Sequence, residues 1–369
     1  MISSTRRPLY VTGHDVVLGR SGGRLVASRD GAVVTSAPLG RISEVVLFGN
    51  VTVTTPAMAA LLAEDVPVAL LTVDGRPRGR LEPPRASHIA ARRRQLELAG
   101  DDAGRLGLAR AFVRGKVRNQ DVLLRRRATR AADAEEVWAM ARRVGAAAAA
   151  VDGARSVPEL TGIEGAAAGA YFRGLRLLLA DELGFRRRER HAPDVVNLLI
   201  NYTSALLREV VFGAVVAAGL DPYVSFLHVP QPGRPTLVFD LMEEWRPVLL
   251  ESTVLGILGL RMITAADLVG PAAAAAPVAP VAPVAPRVPA APAVPAAAAA
   301  TAAPMEGRPR LGPAATSMVI ARFRARLDSS ARAWDLAPGT TYGTLIRAQC
   351  LALRRTFVEG TPYEPFRWR

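Results

Sequence analysis

The chain has 369 residues, and half of them are hydrophobic, which excludes a disordered protein and allows two domains with sizeable cores. A formal net charge of +14 favours a polyanionic partner, with nucleic acid ahead of an anionic membrane surface. The single cysteine, Cys350, excludes an intramolecular disulfide and a thiolate metal cluster. Because the amino terminus has no apolar run like that of a signal peptide, we expect a reduced, cytoplasmic location.

Short strands are predicted over residues 8–82, where runs of valine and leucine alternate with glycine turns. The sequence R-S-G-G at residues 20–23 separates two such runs and is typical of a hairpin. One helix is predicted near residues 56–63, with Thr55 as its N-cap and Pro56 as its first residue. Residues 1–84 are therefore predicted to form a small β-rich N-terminal domain.

Beyond the prolines at 83 and 84, hydrophobic residues recur at helical spacing. Residues 85–270 are predicted to form a larger all-α catalytic domain, which makes the fold class α+β. The apolar zone at 195–220 is predicted to be a buried helix and not a membrane span, because polar and charged residues interrupt it. Residues 271–306, rich in proline and alanine, are predicted to be a disordered linker. Helices in residues 307–369 are expected to pack back on the catalytic domain.

A candidate site lies in residues 226–247, which read F-L-H-V-P-Q-P-G-R-P-T-L-V-F-D-L-M-E-E-W-R-P. Asp240 is expected to begin and cap a helix, after residues that are either extended or already helical. Asp240 and Glu243 would then share one helix face, and the proline-glycine turn could fold His228 over it. Two carboxylates and an imidazole suit Mg²⁺ or Mn²⁺ better than zinc. A capping box has the same acid spacing, however, and a lone histidine beside apolar residues is often structural.

A more distant acid, Glu164, lies in G-I-E-G-A-A-A-G-A-Y-F at residues 162–172, a predicted helix of small residues. A buried, unpaired glutamate there would be costly, and a metal ion would relieve the cost. A buried Glu–Arg pair is the structural alternative, since arginines abound. Lys116 is the only lysine of the chain, and arginine runs stand at 92–94, 125–127 and 186–188. Each run by itself is typical of a solvated helix face, whereas together they could supply phosphate contacts.

Several motifs follow one another along nearly the whole chain: the G-I-E-G-A-A helix, G-K-V-R-N-Q at 115–120, P-D-V-V-N at 193–197, G-L-D-P at 219–222, the L-H and D-L-M-E-x-x-R-P motifs, and the closing Y-x-P-F. Taken in this order, they resemble the Cas1 family of CRISPR-associated integrases and endonucleases. Three positions depart from the family pattern: Ser204 where an aromatic residue is common, Glu251 where aspartate is common, and the Pro/Ala segment.

This resemblance implies a β-domain followed by a helical domain, and homodimers paired around a smaller partner, the Cas2 protein. It implies that Glu164, His228 and Glu243 are the metal ligands. Asp240 is implied beside them, as a further ligand or an orienting group, and all four residues are implied to be catalytic. Lys116 and Asn119 match family positions that are either structural or DNA-facing.

The function implied is metal-dependent insertion of a short DNA duplex, the prespacer, into a CRISPR array. A 3′-OH of the prespacer would attack the phosphorus at the repeat boundary, with Mg²⁺ or Mn²⁺ stabilising the leaving oxygen. Water in place of the 3′-OH would make the same site an endonuclease. The alternative is a non-catalytic, basic DNA-binding scaffold, whose acids serve as caps and ion pairs. An RNA-processing nuclease and a membrane-surface protein are less favoured.

Overall fold

The protein is described here by a computed structural model that covers residues 6–83, 88–270, 309–331 and 340–369. Strands make up the N-terminal part, and helices make up most of the remainder. The predicted α+β class, with the β-rich part first, is confirmed. The predicted linker at 271–306 lies outside the described residues, and the predicted domain boundaries remain predictions.

The N-terminal part consists of two four-stranded sheets, with strand orders β1-β5-β7-β8 and β4-β3-β2-β6. In the first sheet β5 pairs in parallel with β1 and β7, and in the second the predicted glycine hairpin joins β2 to β3. Gly22 in that hairpin has a φ of 56°, a conformation that glycine adopts without steric cost. The strands are β1 (Arg7–Thr12), β2 (Val16–Ser21), β3 (Arg24–Arg29), β4 (Ala32–Pro38), β5 (Ile42–Phe48), β6 (Val51–Val53), β7 (Val68–Leu71) and β8 (Pro77–Leu81).

An α-helix among these strands, α1, spans Thr55–Ala63, so the predicted helix is confirmed. Its N-cap is Thr54 and not Thr55, because the Thr54 hydroxyl accepts a hydrogen bond from the backbone N–H of Ala57. Pro56 consequently occupies the second helical position and not the first. Together with buried strand residues such as Leu18 and Leu25, α1 forms a small core of its own.

The helical part is organised around α3, which packs against α4, α5 and α7. Aspartate and serine side chains define where three helices begin: Asp101 caps α3, Ser156 caps α5 and Asp194 caps α6. A π-helical turn, Arg246–Glu251, joins α7 to α8. The helices are α2 (Ile89–Gly100), α3 (Asp102–Ala128), α4 (Ala134–Gly153), α5 (Val157–Leu177), α6 (Val195–Ala217), α7 (Thr236–Trp245), α8 (Ser252–Gly259), α9 (Pro313–Asp328) and α10 (Tyr342–Glu359), with a two-stranded pair, β9 (Leu268–Val269) and β10 (Arg310–Leu311).

Helix α6 fills the centre of the helical part. By length and composition it is the one helix of the described residues that could cross a membrane, but 67% of its most apolar window is buried inside the protein. The prediction of a buried core helix is therefore confirmed.

The C-terminal segment packs on the helical part: α9 contacts α6, and α10 contacts α2 and α6. The last residues have no regular secondary structure, yet Tyr363, Phe366 and Trp368 are buried. Phe366 stacks on Trp245 at the end of α7, with ring centroids 4.4 Å apart. Burial of three aromatic side chains holds this tail in place without a helix or a strand.

Candidate active site

Three helices bring together two carboxylates and one ammonium group in the helical part. Lys116 projects from α3, and its Nζ contacts Oε1 of Glu164 on α5 and lies 2.5 Å from Oε2 of Glu243 on α7. The side chains of Lys116 and Glu243 are each only 10% exposed, and that of Glu164 is 21% exposed. Two acids that are far apart in the sequence thus face each other across one cation, and we call these three residues the site cluster.

The charges of the site cluster depend on one another. Burial by itself would raise the pKa of the Glu243 carboxyl, but the Lys116 ammonium and the Arg246 guanidinium lower it to about 2. Burial would lower the pKa of Lys116, whereas Glu243 and Glu164 raise it above its ordinary value. Glu243 and Lys116 are therefore both charged at neutral pH.

His228 lies on the turn before α7 and is held by Asp240. The Asp240 carboxylate is fully buried and accepts hydrogen bonds from the backbone N–H groups of Phe226 (2.7 Å), Leu227 (3.0 Å) and His228 (2.9 Å). Its Oδ1 also lies 2.7 Å from Nδ1 of His228. One carboxylate thus shapes the turn and orients the imidazole, which leaves Nε2 as the ring nitrogen available to a ligand.

The position of Asp240 corrects an expectation. Helix α7 begins at Thr236, so Asp240 lies inside the helix and does not cap its start. Leu237, Val238 and Leu241 are buried, and this helically spaced apolar face continues the helix back to the residue after Pro235. Of the two conformations left open for residues 236–239, the helical one is observed.

The imidazole of His228 is partly open, with 39% of its side chain exposed. Burial lowers its pKa, but the hydrogen bond to Asp240 and the charges of Asp240 and Glu243 raise it above the ordinary value overall. The charges of Glu243 and Lys116 act on the ring, so His228 shares the electrostatic environment of the site cluster.

Two further charged residues at this site were not predicted from the sequence. Arg246 lies 3.6 Å from Oε1 of Glu251, which is 2% exposed in its side chain, and both belong to the π-helical turn after α7. Within the described residues, Oε2 of Glu251 has no hydrogen-bond partner. Short π-helical segments are frequent at functional sites. The sequence signal that could have indicated Arg246 is the arginine of D-L-M-E-x-x-R-P, which follows the two acids of the same motif.

Asn119, one turn beyond Lys116 on α3, has a structural role. It is fully buried and donates to the carbonyl oxygens of Glu244 (2.8 Å) and Phe366 (3.0 Å), while its Oδ1 accepts from the N–H of Trp368 at 2.8 Å. The Glu244 carboxylate accepts from the hydroxyl of Tyr363 and from the N–H of Phe366, each at 2.5 Å. The C-terminal tail therefore ties α3 to α7 behind the site cluster.

The acidic and imidazole side chains of this region differ in how well their arrangement and their chemistry suit a divalent cation. In the part of the chain that the structure describes, no three carboxylate, imidazole or thiolate groups are arranged to hold a metal ion. Glu164 and Glu243 nevertheless already lie on either side of a positive charge, that of Lys116. Two carboxylate groups with a neighbouring imidazole are the chemistry that Mg²⁺ and Mn²⁺ prefer, so the donor types fit. Assignment of Glu164, His228 and Glu243 as ligands remains a prediction.

The structural alternative for Glu164 was a buried pair with arginine, and the observed partner is Lys116 instead. The arginine runs are dispersed over the helical part, and only two of the three lie on helices. Residues 186–188 lie in the irregular segment between α5 and α6, where Arg188 donates to the side chains of Asn197 and Asn201 at 2.9 and 2.7 Å. That run is therefore partly structural.

Residues 9–274 match the family model described as CRISPR associated protein Cas1. A relative named CRISPR-associated endonuclease Cas1 3, from Thermus thermophilus, is 36% identical over 70% of this chain and 76% of its own length. A second, CRISPR-associated endonuclease Cas1 from Mycobacterium tuberculosis, is 32% identical over 67% of this chain and 72% of its own length. A Cas4/Cas1 fusion from Rhodospirillum rubrum is 39% identical over 69% of this chain, which matches only 45% of the fusion's length.

Solved structures share the fold at low sequence identity. A CAS1 protein from Thermotoga maritima superposes with a TM-score of 0.73 and 19% identity, over 98% of this chain and 99% of the other. A casposase bound to integration product gives a TM-score of 0.76 and 18% identity, over 98% and 93% of the two chains. Because the family model matches most of the chain and its relatives exceed 30% identity, this chain belongs to the Cas1 family of CRISPR associated proteins.

Proposed function

We propose that this protein is a DNA endonuclease and integrase of CRISPR adaptation, which joins prespacer DNA to the repeat boundary of a CRISPR array. The observation that supports it most directly is the site cluster: Glu164 and Glu243 converge from α5 and α7 on one buried cation. The charges of Glu243 and Lys116 also act on the imidazole of His228. Relatives named as endonucleases, and a casposase structure bound to integration product, agree with nuclease and strand-transfer chemistry.

The reaction is a phosphodiester transesterification. The 3′-oxygen of the prespacer forms a bond to a phosphorus of the repeat, and the bond from that phosphorus to the leaving 3′-oxygen breaks. The proton of the attacking hydroxyl passes to solvent or a nearby base, and the leaving oxygen takes up a proton from solvent to become a 3′-OH. Water in place of the 3′-OH gives hydrolysis by the same route. A divalent ion, Mg²⁺ or Mn²⁺, supplies polarisation of the phosphate and stabilises charge on the leaving oxygen when bound.

The protein's own residues prepare this chemistry. Glu164, Glu243 and His228 are the residues that would hold the ion, through two carboxylates and Nε2 of the imidazole. Asp240 orients His228 through Nδ1, and the neighbouring positive charges keep Glu243 ionised at neutral pH. All four acidic and imidazole groups are anchored on helices or on the turn that Asp240 shapes, which limits the motion of the ligands.

Double-stranded DNA is the proposed substrate, in keeping with the net charge of +14. We further propose that the protein is cytoplasmic, acts as a homodimer and assembles with a small Cas2 protein. A solved Cas6-RT-Cas1–Cas2 complex contains a chain that superposes on this one with a TM-score of 0.77 at 18% identity. No membrane association is proposed.

The deciding experiment is strand transfer of a prespacer into a supercoiled plasmid that carries a repeat, in Mg²⁺ or Mn²⁺. Glu164→Gln and His228→Ala are expected to lower the product by about 100-fold or more, because each removes a proposed ligand. Affinity for duplex DNA should stay within about twofold of wild type, since the positive surface that binds phosphates is retained. Glu182→Gln is the matched control, because that carboxylate is 70% exposed and lies 3.9 Å from Arg261, which is not part of the site cluster.

Integration by Glu164→Gln at the wild-type rate would contradict the assigned site. The DNA-binding scaffold makes a different prediction, namely tight duplex binding by wild type with neither product nor any metal-dependent change. Metal titration of the wild-type protein followed by thermal unfolding separates the two functions.

A further inference from the structure

Lys116 differs in kind from every other basic residue of the chain. It is the only lysine among 47 basic residues, and only 8% of it is exposed. Other buried carboxylates, such as Glu44 and Glu209, are paired by arginine, in their case by Arg80. A lysine at this one buried position therefore calls for a chemical reason.

The backbone of Lys116 is held firmly, whereas its charge is carried on a flexible stem. A Cβ placed on Gly115 would lie 2.7 Å from Pro365 of the C-terminal tail, so the chain approaches the tail closely at the preceding residue. Asn119, one turn further, is clamped by three hydrogen bonds to α7 and the tail. The ammonium group at the end of four methylene groups is thus the part of Lys116 that can move.

One monovalent ammonium group is shared by two carboxylates. The Nζ of Lys116 contacts Glu164 and lies 2.5 Å from Oε2 of Glu243, so a single positive charge stands between two negative ones. A guanidinium would offer each carboxylate its own pair of N–H donors, but an ammonium is a compact point charge, like a small metal ion.

We propose that Lys116 is the exchangeable cation of the site: its ammonium group holds Glu164 and Glu243 together in the metal-free protein and leaves when a divalent ion binds. This inference rests on the proposed function, since it assumes that the same two carboxylates receive the metal. Lys116 is then a positioning residue that keeps the two acids from separating or drawing in a wrong partner, and it competes with the metal for them.

The experiment is Mn²⁺ binding by the metal-free protein, followed by electron paramagnetic resonance of free Mn²⁺ and by thermal unfolding. Lys116→Met removes the charge at similar length, and it is expected to bind Mn²⁺ about tenfold more tightly than wild type or better. The metal-free variant should unfold at a lower temperature than wild type, and Mn²⁺ should restore more of its stability than Mn²⁺ adds to the wild type. Binding by Lys116→Met that is no tighter than wild type overturns the proposal.

Lys116→Arg decides the question independently if the methionine variant does not fold. A guanidinium bonded to both carboxylates exchanges less readily, so Mn²⁺ should bind this variant more weakly than wild type. Wild-type affinity in Lys116→Arg would overturn the proposal.

A double variant, Lys116→Met with Glu164→Gln, locates the ion. If Lys116→Met alone binds Mn²⁺ more tightly than wild type but the double variant does not, exchange occurs at the site cluster. If the double variant still binds more tightly than wild type, the proposal is overturned. The proposed function is contradicted separately, by strand transfer that persists in Glu164→Gln. Competition by Lys116 is contradicted if Mn²⁺ binding requires Glu164 but has the same affinity whatever residue occupies position 116.

Discussion

Two buried clusters of opposite charges in this protein use different cations and have different consequences. The junction cluster lies between the β-rich part and α6, where Arg80 of β8 contacts Glu209 and lies 3.0 Å from Glu44 of β5. Its guanidinium also stacks over Phe212, 4.1 Å from the ring centroid. In the site cluster one lysine ammonium is shared by Glu164 and Glu243.

The difference lies in how each cation satisfies its carboxylates. The planar guanidinium of Arg80 presents separate nitrogens to Glu44, Glu82 and Glu209, which fixes strands and helix relative to one another. The ammonium of Lys116 is instead a single compact charge that Glu164 and Glu243 share. We infer that a buried arginine here marks a permanent structural link, and that the buried lysine marks a position for exchange.

Arg80→Met is expected to have the largest effect on stability, because it leaves Glu44 buried without its cation and removes one of the two arginines that contact Glu209. The free energy of unfolding should fall by about 3 to 5 kcal/mol, measured by chemical denaturation. Unlike the loss in Lys116→Met, this loss should not be restored by Mn²⁺. If Mn²⁺ restored the free energy of unfolding of Arg80→Met, the two clusters would not differ in kind.

The pH dependence of stability sharpens the comparison through Glu44. Burial raises the pKa of its carboxyl to about 7, despite the opposing charge of Arg80. The folded protein therefore binds this proton more tightly than the unfolded chain does, so the contribution to stability is largest below about pH 4.5 and is lost as the pH rises towards 7. In the wild type this effect should lower the free energy of unfolding by a value on the order of 3 kcal/mol over that interval, and in Glu44→Gln this decrease should be absent. Denaturation curves at several pH values measure it.

Part of the slope should remain in Glu44→Gln, because burial also raises the pKa of Glu244 to about 7. An unchanged slope in Glu44→Gln would mean that the junction cluster stays ionised throughout this range. Gln at 44 keeps the size of the side chain, which separates the loss of charge from the loss of packing.

The smallest expected effect concerns α5 itself, away from its charged residue. Gly169 is exposed, and a Cβ placed there meets no atom within 4 Å. Gly169→Ala should raise the free energy of unfolding by about 0.5 to 1 kcal/mol, because alanine loses less conformational entropy in a helix. Strand transfer should be unchanged; lower activity in this more stable variant would mean that DNA approaches the exposed face of α5.

Prediction from the sequence succeeded where the signal was local. Valine-rich runs with glycine turns predicted the strands, and polar interruptions predicted that α6 is a core helix. It failed by one residue at α1, since either Thr54 or Thr55 could serve as the cap, and only the contact to Ala57 distinguishes them. Asp240 was assigned as a cap for a similar reason. Aspartate is favoured at helix starts, and the sequence alone does not show whether the helix begins at this aspartate or some residues before it.

The sequence by itself determined the order of β-rich and helical parts, the family, and the residue types from which the site is built. These depend on periodicity, turn residues and motifs, which are properties of neighbouring positions. Only the tertiary structure decided that Lys116, and not an arginine, lies between Glu164 and Glu243, and that the C-terminal tail holds α3 against α7. Lys116 and Glu164 are separated by 48 positions in the sequence, and Asn119 and Phe366 by 247. The packing of whole helices decides which of many possible partners meet over such separations.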